Sequence, residues 1–133
     1  ESNFVESGLV RYEYHYATFD QSVGRFAAEA AECANQQGAF WPYHDILYAN
    51  QTGARDQYSE RRLIAFAEDI DLDGGDFRSC LDEGKSSVVV QQDAALAAEM
   101  GVNATPTVFI NGEKVEGSMQ FEIYKEIIEG KLE

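Results

Sequence analysis

Basic residues are scarce in this sequence: ten Lys and Arg stand against 24 Asp and Glu, for a formal charge of −14. Such a surface repels phosphates, which excludes a general nucleic-acid binder. Long apolar runs are absent as well; no stretch of 18 or more residues would span a membrane as a helix. The opening ESNFVESG has neither an initiator Met nor the pattern of an export leader. Glu1 therefore reads as a processed end or a cut through something larger. Cysteine is limited to Cys33 and Cys80, with no Cys-x-x-Cys anywhere. Tandem-Cys zinc motifs and a dithiol redox motif are thereby excluded from these residues. His15 and His44 add too little, at too scattered a spacing, to suggest a zinc site. Two readings of the cysteines remain open: buried free thiols, or one disulfide in an oxidising compartment. Lysine occurs only four times (Lys85, Lys114, Lys125, Lys131). The acidic excess is either a solvated surface that aids solubility or an adaptation to high salt.

What is present suffices for a core. Hydrophobic residues make up 44% of the 133 positions, a length that fits one domain. Residues 9–17, LVRYEYHYA, alternate, with Val10, Tyr12, Tyr14 and Tyr16 on one side and Leu9, Arg11, Glu13 and His15 on the other. That pattern predicts a strand with one aromatic face, His15 facing solvent. Helical spacing then takes over. Asp20 or Ser22 is placed to cap a helix to about residue 37, ended by Gly38, with Phe26, Ala27, Ala30, Ala31 and Ala34 repeating along it. A second helix is expected over residues 40–50, its stripe made of Phe40, Tyr43, Ile46 and Leu47, with Pro42 tolerated in the first turn. Ser59 caps a third, residues 60–69. A break at 71–75 precedes a short helix over 76–83 and a longer one over 86–100.

The last third changes period. Residues 107–110 form an apolar β-branched strand, Asn111-Gly112 is a strong two-residue hairpin signal, and 113–116 returns. An amphipathic helix over 120–128 closes the chain, with Phe121, Tyr124, Ile127 and Ile128 inward. The strands and helices together indicate an α/β class, a thin sheet covered by helices.

Several side chains invite a functional reading and also a plainer one. Phe40, Trp41 and Tyr43 could line a peptide groove, although aromatics at that spacing usually pack in a core. His44 beside Asp45 reads as a surface or packing residue. Asp69, Asp71, Asp73 and Asp76 resemble part of a calcium loop but lack its Glu at the twelfth position. Asn50 and Asn103 fit the glycosylation pattern, the second in a loop expected to be buried ahead of Pro106.

A family resemblance rests on four segments: AAECA (30–34), FWPYHD (40–45), FRSCL (77–81) and GVNATPTVFING (101–112). Together they resemble, nearly end to end, the DsbA-like thioredoxin-fold thiol–disulfide oxidoreductases. The resemblance implies a single thioredoxin-like domain over 1–133, with a helical insertion at about 20–85. It also implies that Pro106 is the family's cis-proline, with Thr105 and Pro106 contacting substrate polypeptide. In the family, a Cys-x-x-Cys opens the first helix after a first strand. This chain starts past that point, residues 1–8 resembling the tail of that helix. The first strand and the start of the first helix are therefore expected to be absent, and no catalytic residue is expected in the chain. Three origins fit: a longer protein whose first residues precede Glu1, a truncation, or a natural loss. Cys33 and Cys80, both in the insertion, are expected to form a structural disulfide remote from the Pro106 loop. The implied partners are polypeptides bearing thiols or disulfides, together with a membrane redox partner. The implied location is outside the cytoplasm. No cofactor, metal or nucleic acid is implied. Strand edges left without the central strand would favour pairing with a second copy. A redox-inactive module that binds peptide or a partner protein through the Pro106 loop is the alternative.

Overall fold

The computed structural model describes residues 3–18 and 23–133. The candidate caps Asp20 and Ser22 lie outside the described residues. The elements are α1 (Val23–Gln36), α2 (Phe40–Ala49), α3 (Glu60–Asp69), α4 (Gly74–Asp82), α5 (Ser87–Glu99), β1 (Thr107–Ile110), β2 (Glu113–Glu116) and α6 (Phe121–Leu132). They fall into two compact units, Glu1–Ala94 and Ala95–Glu133.

The first unit is a helical assembly. Ala30, Ala31 and Ala34 on α1 are buried, and their small size lets α2, α3 and α4 approach closely. Tyr43 of α2 fills the centre, its ring 5.4 Å from that of Phe77 on α4. Its hydroxyl donates to the Leu63 carbonyl of α3 at 2.9 Å. Leu63, Ile64, Phe66 and Ala67 complete the core from α3. Ser59 caps α3 by accepting from the Arg62 N–H. The helix expected from residue 76 begins two residues earlier, because Asp73 is its cap and accepts the Asp76 N–H at 2.8 Å. Gln37 ties the end of α1 to that cap. Its amide accepts the Asp73 N–H at 2.9 Å and donates to the Asp73 carbonyl at 3.1 Å.

The strand expected over residues 9–17 is not formed. Residues 10–18 have no regular secondary structure, and residues 3–8 form turns rather than the tail of a helix. A strand needs a hydrogen-bonded neighbour, and the described residues supply none here. The period-2 pattern is nonetheless expressed in the side chains. Tyr12 lies 5.5 Å from Trp41, Tyr14 lies 5.1 Å from Phe40, and Tyr16 lies 6.1 Å from Phe40.

In the second unit, β1 and β2 form a two-stranded antiparallel sheet with Thr107 opposite Glu116 and Ile110 opposite Glu113. The connection is Asn111-Gly112, both at positive φ (47° and 87°), as a tight twisted hairpin turn requires. Helix α6 runs past residue 128 to Leu132. Phe121, expected inward, is 46% exposed, while Tyr124, Ile127 and Ile128 are half-buried. A hairpin with a single buried residue, Val115, offers too little apolar surface to cover the whole stripe.

Candidate functional site

The Thr105–Pro106 loop belongs to the second unit. It follows Gly101, which takes a positive φ of 70° after α5, and leads directly into β1. The Thr105–Pro106 peptide bond is cis. Two bonds hold the loop's shape: the Thr107 hydroxyl donates to the Ala104 carbonyl at 2.6 Å, and the Gly117 N–H donates to the Pro106 carbonyl at 2.9 Å. Lys114 on β2 donates to the Gly101 carbonyl at 2.6 Å, which braces the start of the loop. Asn103, Ala104, Thr105 and Pro106 are all exposed. The loop expected to be buried around Asn103 is therefore open, because no element of its unit covers it.

Cys33 on α1 and Cys80 on α4 belong to the first unit and are joined by a disulfide. They are 1% and 6% exposed. A sulfur so enclosed is closed to attack by an external thiolate, so the bond acts as a cross-link between helices. The zinc reading of these cysteines falls with it. Among the described residues no group of His, Cys, Asp and Glu is arranged to hold a metal ion. In the calcium-like stretch, Asp73 is occupied as a helix cap.

The first unit also carries a cleft of about 330 Å³. Tyr14 and Tyr16 form one wall, and Phe40, His44 and Tyr48 of α2 line it with Ala27 and Ala31 of α1. The His44 ring lies 5.4 Å from Tyr14 and 4.7 Å from Tyr48. Of the three aromatics that could have lined a groove, Tyr43 is core and Phe40 lines the cleft. Trp41, 39% exposed, packs against Tyr12 and Tyr14. Burial pushes the Tyr14 hydroxyl well above its ordinary titration range, helped by the Tyr48 hydroxyl beside it. Burial does the same for Tyr16, helped by the Glu32 carboxylate that accepts a hydrogen bond from its hydroxyl at 2.9 Å. Both phenols therefore stay neutral hydrogen-bond donors at physiological pH.

His15 faces solvent as expected, half-exposed, and its ring is also held by two carboxylates. Its Nδ1 lies 3.0 Å from Asp93 Oδ1 on α5, and its Nε2 lies 3.4 Å from Glu13 Oε2. The hydrogen bond to Asp93, with both negative charges, raises the imidazole above its ordinary range against the opposing effect of burial. The other Asp93 oxygen accepts the Tyr16 N–H at 2.9 Å. Asp93 and Glu32 were not visible as partners in the sequence. Each is one acidic residue among 24, and Asp93 is 78 positions from His15.

A family model described as Thioredoxin matches residues 1–130. The chain belongs to the thioredoxin family. Curated relatives include the Na(+)/H(+) antiporter NhaA 3 of Salinispora tropica, 37% identical over 120 residues. Those residues are 89% of this chain and 18% of the antiporter. Disulfide bond formation protein D of Bacillus subtilis is 23% identical over 136 residues, covering 99% of this chain and 61% of that protein. ClpXP adapter protein SpxH of Bacillus licheniformis is 36% identical over 91 residues, 63% of this chain and 29% of the adapter. The chain thus spans less than two thirds of each of these relatives. Membership of the thioredoxin family agrees with the DsbA-like resemblance of the AAECA, FRSCL and TPTVFING segments.

Proposed function

We propose that this chain is the scaffold and substrate-binding part of a DsbA-like thiol–disulfide oxidoreductase acting on cysteines of exported polypeptides. The observation that carries the reading is the thioredoxin match over residues 1–130, with Thr105 and Pro106 exposed at the head of β1. A loop open at that position can offer its backbone N–H and C=O groups to a polypeptide in extended form. The chemistry is thiol–disulfide exchange. A thiolate attacks one sulfur of a substrate disulfide, the other sulfur leaves as a thiolate, and a second thiol resolves the mixed disulfide. In the oxidising direction the enzyme's disulfide is attacked by a substrate thiolate and ends as a dithiol. Cys33 and Cys80 take no part in either direction, since they are buried and bonded to each other. In this reading the reacting pair is the family's Cys-x-x-Cys, which is not among these 133 residues. A membrane redox partner would return that pair to its working state, and the buried disulfide suits an oxidising compartment outside the cytoplasm.

Insulin reduction by the protein bearing that dithiol tests the reading. Turnover is expected, together with loss of turnover when the dithiol is changed to serine; an intact dithiol without turnover would overturn it. The second reading, a redox-inactive module that binds peptide or a partner protein, is favoured by one fact: the two cysteines of these 133 residues are committed to each other. Adding an extended peptide while following amide shifts addresses the binding common to both. Shifts are expected at residues 103–105 and 107, and Thr105→Arg should weaken binding about tenfold by placing bulk and charge on the loop. Shifts confined to other residues would remove the loop from either function.

A further inference from the structure

Residues 13–16 reach the rest of the first unit through ring packing of Tyr14 and Tyr16 on α2 and through a small set of polar contacts to α1 and α5. Asp93 of α5 takes both of its nearest partners from this segment, the His15 ring through Oδ1 and the Tyr16 N–H through Oδ2. The segment has no strand partner among the described residues, so these bonds do what a ladder would otherwise do. It also supplies the part of the cleft wall that carries Tyr14 and Tyr16, beside lining residues of α1 and α2. Among the described residues, Asp93 faces the His15 ring from α5 and Glu13 from its own segment, and Arg11 pairs with that Glu13. Glu32 on α1 is engaged by the Tyr16 hydroxyl.

We propose that His15 is a proton-operated clip: charged, it fastens residues 13–16 to α5 through Asp93, and uncharged, it lets that wall of the aromatic cleft move. Charged imidazole donates from both nitrogens, to Asp93 and to Glu13. Neutral imidazole has one N–H left and no charge, so two bonds between opposite charges become at most one bond from a neutral N–H to a carboxylate. The folded protein holds the proton more tightly than the unfolded chain does, so the stabilisation is complete below the ordinary histidine range and fades as pH rises through the raised value. The ring is half-exposed, so solvent screens the effect to a modest size.

The test is an NMR titration of the His15 ring, with amide exchange measured at Tyr16, between about pH 5 and pH 8. His15 should titrate above an ordinary histidine, and Asp93→Asn should bring it down. Protection of the Tyr16 amide, corrected for intrinsic exchange, should fall about threefold as His15 loses its proton. His15→Gln should make that protection independent of pH while leaving the buried amides of α1 and α3 unchanged. A His15 titration that Asp93→Asn does not move would overturn the proposal, as would an equal fall in His15→Gln. If Asp93→Asn does not fold, the half-exposed His15→Gln decides by itself.

Discussion

Tyr43 shows what one side chain can carry here. It was legible as an inward residue of α2 from its spacing with Phe40 and Leu47, but its role as a polar link was not. The hydroxyl is buried and its partner is a backbone carbonyl on another helix. Tyr43→Phe keeps the ring and its packing on Phe77 and removes only that bond. A loss of about 1 kcal/mol is expected in urea unfolding, with the slope unchanged. His15 makes the complementary point. A period-2 pattern places it correctly on the polar side of its segment, yet the partner that matters is contributed by a helix far along the chain. At Asn111-Gly112 no distant partner is needed, because the turn's positive φ values are a local demand that these two residue types meet.

Among the elements, α3 matches its expected bounds and cap because every signal for it is local. Ser59, the acidic Glu60 in the first turn and the spacing of Leu63, Ile64, Phe66 and Ala67 agree. Ser59→Ala should cost about 1 kcal/mol, read as a lower thermal midpoint. Helix α1 is bound to its neighbours in two ways, by small residues and by the cross-link to α4. Ala34→Leu would force a larger side chain into a site that is fully buried. A destabilisation of about 1–3 kcal/mol or more is expected, measured by the same unfolding. Replacing both Cys33 and Cys80 by Ala opens a loop of sequence separation 47 and should cost about 4 kcal/mol in the chain-entropy model. An alkylating agent applied to the denatured, unreduced protein should add nothing at either cysteine; labelling would mean that the bond is absent in solution. The link between Gln37 and Asp73 would hold α1 near α4 even then, so the double variant is expected to fold at low temperature.

For the molecule as a whole, net charge matters in a way that no single contact shows. With a formal charge of −14, the surface repels itself, and added salt shortens the reach of that repulsion to about 3 Å at 1 M. The thermal midpoint should rise with sodium chloride, and a salt-independent midpoint would argue against both the repulsion and the high-salt reading of the composition. Most visible ion pairs are exposed, so their screening removes little to offset the gain. By itself the sequence determined helices α1 to α6, the hairpin and the family, because caps, turn residues and hydrophobic period act over a few neighbouring residues. Only the tertiary structure decided the fate of residues 9–17, the exposure of Phe121 and of the Pro106 loop, and the union of His15 with Asp93. A strand exists only against a partner, and burial and ion pairing depend on what the fold brings near, so the same local pattern can end paired, covered or open.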